Sequence, residues 1–218
     1  MDRITAKFLS EPSRLKNTWT VLEQSQPAKS YPKGRMIYLQ GDHADSFFYL
    51  KNGRVKIFLS SENGMEKTLT VLEKGNIFGE AAFFDGMPRV SSAKTLTKSE
   101  IVAVTHSTLL KSFSKAPELA MSLLEYLAQT IRMLSAQVDG MAFLPADKRI
   151  ARLLLQISSE TPGNPIPCTH EDLGNLAGVS RVTVSRVLNC FQKNGWIQTR
   201  YKAVFIQDTA ALEHFASY

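Results

Sequence analysis

The chain has 218 residues, with 44% hydrophobic and 21% charged side chains, enough for one large domain or two modest ones around a sizeable core. No apolar run approaches the roughly 20 residues of a membrane helix, which excludes a helical span. The surplus of 26 Lys and Arg over 20 Asp and Glu, a formal charge of +6, favours a polyanionic partner.

The first residues, MDRITAKFLSEPSRLK, lack the apolar core and small-residue cleavage site of a secretory signal, so a cytoplasmic location is expected. From residue 30 to 105, Gly53, Gly64, Gly75 and Gly86 are evenly spaced, and the first two stand in Asn-Gly pairs, a hairpin signature. Between them lie "RMIYL", "SFFYL", "RVKIFL", "KTLTVL" and "EIVAV", short β-branched and aromatic runs. Such spacing predicts an all-β roll of about eight strands.

Within it, "FGEAAFFDGMPRVSS", residues 78 to 92, sets an acid, Glu80, and a base, Arg89, on either side of an aromatic and Gly-Pro turn. The residues alone leave two alternatives. The pair reaches a ligand together, or the stretch only turns one strand into the next.

From Pro117 the period changes. Leu124, Leu127, Ile131, Leu134, Val138 and Met141 recur at alternating steps of three and four, the seam of a two-helix coiled coil. Gln129, Arg132 and Gln137 fall off it, and a homodimer through this helix is expected. Gly140 to Pro145 reads as the hinge, because Pro145 can start a helix but not continue one. "ADKRIARLLLQISSE" then predicts a helix with Ile150, Leu153, Leu154 and Ile157 inward, and "TPGNPIP" a loop.

The most informative stretch is "THEDLGNLAGVSRVTVSRVLNCFQKNGW", residues 169 to 196. Thr169 and Asp172 have capping-box spacing for a short helix through Ala177. Gly178 supplies a left-handed turn, Val179 plugs the core, and Ser180 caps a second helix that ends at Gly195. This is a helix-turn-helix. Val184, Val187, Leu188 and Phe191 make the inner face of the second helix, so Arg181, Val182, Ser185 and Arg186 point outward, where a major groove would be read. Thr183 lies in the same turn, and the wing "WIQTRYKAVFI" offers Arg200 and Lys202 to phosphates. Cys168 and Cys190, with no CxxC or histidine pair nearby, read as buried or idle thiols rather than as a disulfide or metal site.

A β-roll, a long helix and a C-terminal winged helix-turn-helix, in that order, resemble the cyclic AMP receptor and fumarate-nitrate regulator family of transcription factors. The resemblance rests on "FGEAAFFDGMPR", "VDGMAFLPADKRIARLLL" and "LGNLAGVSRVTVSRVL" and runs from about residue 20 to 210. It implies an α+β chain with an effector-sensing β-roll in residues 1–116, resembling a cyclic-nucleotide-binding jelly roll. A dimerisation helix and hinge in 117–144 and a winged helix-turn-helix in 145–218 complete it. It also implies a homodimer on double-stranded DNA, a palindromic operator with half-sites about 34 Å apart, and RNA polymerase as a further partner. By analogy with members that bind cyclic nucleotides, Glu80 meets a ribose hydroxyl and Arg89 the cyclic phosphate, with Gly79, Ala81 and Ala82 adding backbone donors. Ser91 or Ser92 would add a hydroxyl, and Ser135 would face the base.

Three positions depart from that pattern. Val90 stands where a small residue is usual, Leu134 where the cyclic AMP receptor has a threonine, and Val182 where many relatives carry a glutamate that reads cytosine. The last resembles the halorespiration regulators and implies an A·T-rich site. The expected effector is thus a cyclic nucleotide or, alternatively, a non-nucleotide such as a small aromatic acid. A constitutive regulator with a structural roll, Glu80 bridged to Arg89, is the third alternative. An iron-sulfur sensor would need cysteines that residues 1–50 lack, and a haem sensor would need more than the isolated His43 and His106. No nucleophile, base and orienter set suggests an enzyme, and a cupin-type metal site would need more than His43 in "GDHADS".

Overall fold

The computed structural model describes Trp19, Val21, Leu22, residues 26–160 and residues 165–217. The start of the expected sensing domain and the first four residues of the "TPGNPIP" loop lie outside them. The described chain divides into two compact units. One holds the residues up to Ser60 together with Leu69–Leu134; the other holds Ser61–Thr68 and the chain from Ser135.

The first unit holds most of a β-roll. Strands β1 (Lys29–Tyr31), β2 (Met36–Tyr38), β3 (Ser46–Asn52), β4 (Arg54–Ser60), β5 (Glu66–Glu73), β6 (Ile77–Phe78), β7 (Ser92–Thr95) and β8 (Ser99–Thr105) form two four-stranded sheets. Their orders are β1-β8-β3-β6 and β2-β7-β4-β5. All five apolar runs of the sequence fall on strands. In β3, Phe47 and Tyr49 face inward and alternate with half-buried neighbours, the period of two that a sheet with one covered face requires.

The two Asn-Gly pairs differ. Gly64 joins β4 to its neighbour β5, whereas Gly53 lies between β3 and β4, which belong to different sheets. The hairpin expected there is a crossover. Gly53 has φ 97°, and a Cβ on it would sit 2.7 Å from the Lys98 carbonyl oxygen, so only glycine fits.

Three helices belong with the roll: α1 (Glu80–Asp85), α2 (His106–Lys115) and the start of α3 (Glu118–Phe143). Leu119, Leu123 and Tyr126 of α3 pack with Phe47, Tyr49, Ile77, Phe83, Val102 and Val104. The Tyr126 hydroxyl donates to the Ile77 carbonyl at 2.8 Å, fastening α3 beside β6. α2 has no counterpart in the sequence reading, and Gly140 lies within α3, so the chain breaks only at Leu144–Pro145.

The second unit contains α4 (Ala146–Glu160), α5 (His170–Ala177), α6 (Arg181–Lys193), the β9 (Ile197–Arg200) and β10 (Ala203–Ile206) hairpin, and α7 (Thr209–Ser217). Arg149 donates from Nη1 to the Leu144 carbonyl at 3.1 Å, covering the end of α3 as α4 begins. Ile150, Leu153, Leu154 and Ile157 meet Val184, Val187, Leu188 and Phe191 in one core. Ile166, expected in a loop, pairs with Val204 through bonds of 2.8 and 2.9 Å and so extends the wing.

Candidate functional site

Helix α1 begins at Gly79, whose φ of 77° turns β6 into the helix. A Cβ there would lie 2.7 Å from Arg89 Nη1, so the glycine is what lets the guanidinium approach the backbone. Arg89 is fixed on every side. Its N–H donates to the Asp42 carbonyl and its carbonyl accepts from Gly41, both at 2.8 Å. Nη1 donates to the Gly79 carbonyl, Nη2 donates to the Ser46 carbonyl at 2.6 Å, and the guanidinium stands 4.4 Å from the Tyr38 ring centroid and 5.4 Å from that of Phe48. Such cation–π contacts are strongest where water is excluded. Nε is buried with no partner.

Arg89 and Glu80 border one cavity of about 120 Å³. Gly79, Ala81, Ala82, Val90 and Ser91 join its rim, Tyr38, Ile57, Leu72 and Phe78 line the roll side, and Tyr126, Thr130, Met133 and Leu134 line the helix side. Burial pushes the Glu80 carboxyl up to about 7, against the pull of its own backbone N–H and of Arg89. Burial also pulls the Arg89 guanidinium below its ordinary value, an effect opposed by the carboxyls of Glu80, Asp42 and Asp45. The Tyr38 phenol is raised by burial and then by Glu80, so it is a neutral wall with a hydrogen bond to Ser91.

The cavity can therefore receive an anion on Arg89 and a hydroxyl on Glu80, with an apolar body against the remaining wall. Ser92 is not among the lining residues, and its hydroxyl accepts from the Gln40 N–H at 3.0 Å. Ser135, one residue past Leu134, is exposed and lies outside the lining. Nothing in the linear sequence marks Tyr38, Phe48, Thr130 or Met133 for this site. A stacked aromatic pair on separate strands, Tyr38 and Phe48 at 5.8 Å, leaves no mark in a linear pattern.

Along α3, Leu124, Ile131, Leu134, Val138 and Met141 are exposed, while Leu127 is half-buried against the roll core.

In the second unit, Thr169 caps α5 through the full reciprocal box with Asp172. Gly178 takes φ 68°, Val179 packs on the core, and Ser180 caps α6 by accepting from the Thr183 N–H at 3.1 Å. The hydroxyls of Thr169, Ser180 and Thr183 thus hold the motif together. Arg181, Val182 and Arg186 are exposed, Val182 to 78%. Ser185 differs, since its Oγ lies 2.7 Å from His170 Nδ1. Arg200 and Lys202 flank Tyr201, which is 87% exposed at the wing tip, and Lys202 adopts φ 51°. A groove bounded by Thr169, His170, Arg181, Arg200 and Lys202 joins the wing to the helix-turn-helix. Nothing in the linear sequence marks His170 or Tyr201 as part of this groove. Cys168 is buried, with its thiol pushed up to about 12, and Cys190 is exposed. His106 stacks on Phe83 at 3.9 Å.

Comparison with known proteins places names on both units. Residues 28–115 match the cyclic nucleotide-binding domain and residues 148–215 the Crp-like helix-turn-helix domain. A CRP-like cAMP-activated global transcriptional regulator of Mycobacterium tuberculosis is 31% identical over 93% of this chain and 92% of its own length. The cyclic AMP receptor protein of Thermus thermophilus is 32% identical over 85% and 86%. The solved structure of the c-di-GMP responsive regulator CLP of Xanthomonas campestris shares the fold, with a TM-score of 0.79 at 24% identity over 87% of this chain and 98% of that one. With a sensing roll, an exposed recognition helix and relatives matching along nearly its whole length, the chain belongs to the cyclic AMP receptor and fumarate-nitrate regulator family of DNA-binding transcription regulators.

Proposed function

We propose that the protein is a homodimeric regulator whose operator affinity is set by a phosphate-bearing cyclic nucleotide held in the roll between Glu80 and Arg89. One observation carries this reading: a buried guanidinium, preorganised by two backbone carbonyls and two rings, whose Nε has no partner. A buried donor left unsatisfied is costly, and an anion in the cavity relieves that cost. The nucleotide class comes from the names of the Mycobacterium and Thermus relatives. Effector contacts on α3 through Thr130, Met133 and Leu134 would bias the helix that also presents the dimer seam, a population shift limited by the effector's differential affinity for the two states. Paired recognition helices then meet a palindrome, with Arg181 and Arg186 reading guanine, Val182 touching a thymine methyl, and RNA polymerase as the downstream partner.

The apolar walls of Ile57, Leu69, Leu72 and Phe78 support a second reading, a small aromatic carboxylate on the same arginine. Titration calorimetry of cyclic AMP, cyclic GMP, cyclic di-GMP and a set of aromatic acids against wild type and Arg89→Ala tests both. Binding of one class that Arg89→Ala abolishes is expected. Equal binding by the two proteins would remove the anion site, and no binding at all would leave the roll a structural element.

A further inference from the structure

Ser185 stands in the first two turns of α6, where a serine is expected to read a base edge, but its hydroxyl is already engaged by His170 Nδ1 at 2.7 Å. That bond ties the first residue of α5 to the recognition helix, and both residues are half-buried. His170 also walls the groove of about 380 Å³ that Arg181, Arg200 and Lys202 share, with Glu171 its one acid.

The two ring nitrogens have distinct roles, and a serine hydroxyl can either donate to Nδ1 or accept from it, so the direction of this bond goes with the tautomer. A neutral imidazole whose Nδ1 accepts the Ser185 O–H has its proton on Nε2, as a donor. In a groove walled by three cations the acceptor for that donor is an anion. For a helix-turn-helix and wing on a duplex, that anion is a backbone phosphate.

We infer that His170 donates Nε2–H to a DNA phosphate, and that Ser185 is a positioning residue that fixes the His170 tautomer and ring orientation instead of reading a base. The inference rests on the DNA-binding role of the module. It reassigns Ser185 from sequence readout to backbone positioning.

The probe is the duplex that wild type enriches from a randomised palindromic library. His170→Ala should weaken binding to it about tenfold per half-site, the loss of one hydrogen bond to a charged group. The preferred bases should not change, because a phosphate contact carries no sequence information. Ser185→Ala should show the same uniform pattern with a smaller loss. The double variant should bind no worse than His170→Ala alone, since the serine acts through the histidine. His170→Gln, with an amide N–H in place of the ring donor, should recover most of the affinity. It also keeps the test open if His170→Ala unfolds. Relaxed preference at one base position in Ser185→Ala overturns the inference, as do additive losses or a glutamine variant as weak as the alanine one. If wild type enriches no duplex at all, the DNA-binding role fails first and takes the inference with it.

Discussion

Arg89 and Glu80 share a cavity, but the terminal nitrogens of Arg89 hydrogen-bond the carbonyls of Gly79 and Ser46, leaving its attraction to Glu80 to act through space. The arginine is thus anchored without neutralising the carboxyl. A structural pair would do the opposite, satisfying each charge with the other.

That arrangement makes Glu80 a reporter of the fold. Its carboxyl stands at about 7 against an ordinary 4.5. A carboxyl raised on folding stabilises fully below the unfolded value, and that contribution is lost as pH rises through the folded one. At about 1.4 kcal/mol per unit, wild type should lose up to about 3 kcal/mol between pH 4.5 and 7.5. Thermal unfolding of Glu80→Gln, which cannot titrate, should run nearly parallel to wild type below pH 5 and then become the more stable by several degrees at pH 8. Identical pH profiles for the two proteins would contradict a carboxyl that burial holds above its ordinary range.

Gly174 lies in α5, where alanine would ordinarily add about 1 kcal/mol of helix stability. Here a Cβ would lie 2.7 Å from the Val179 carbonyl, while the Gly174 carbonyl itself accepts the Val179 N–H at 3.0 Å. Gly174→Ala should therefore destabilise by about 2 kcal/mol or more and blunt DNA binding through the displaced turn. An unchanged or raised unfolding temperature would show that the turn can yield.

How much of this was legible beforehand depended on the range of the interactions. The helix-turn-helix is a local code: Thr169 with Asp172, Gly178, Ser180 and the inward spacing of Val184, Val187, Leu188 and Phe191 each act within a few residues, and the structure has them in those roles. The roll gave up its strands for the same reason, since alternation is also local. What did not show was long-range partnership. Gly53 looks like a hairpin glycine until the sheet order separates β3 from β4, and Ser185 looks free until His170 arrives from fifteen residues away. Tyr38 and Phe48, which hold the guanidinium of the candidate effector site, could not be named without knowing that their strands face one another across it.

On the recognition helix, Arg186→Ala should abolish preference for the operator while leaving the fold intact, because Arg186 is exposed and a bidentate arginine–guanine contact is worth about 1–3 kcal/mol in each half-site. Val182→Glu should shift preference away from thymine at a single position. Selection of binding sites by the three proteins decides both points. The same enriched sequence for wild type and Val182→Glu would remove the thymine contact.

Ile131 and Val138, each 65% exposed, lie seven residues apart on α3. In a two-fold interface a seam residue sits close to its own copy, so Ile131→Glu would place two carboxylates together where two apolar side chains met. Burying both without partners should raise the dimer dissociation constant at least a hundredfold. The protomer itself should unfold as before, because Ile131 faces outward in the single chain, unlike Leu123, which is buried against the roll core. Sedimentation equilibrium is expected to give a dimer for wild type and a monomer for Ile131→Glu at micromolar concentration. Specific binding to a palindrome should weaken in parallel, since two half-sites would then be filled independently. A wild type that sediments as a monomer, or a variant that remains a dimer, would place the subunit contact elsewhere on the protein.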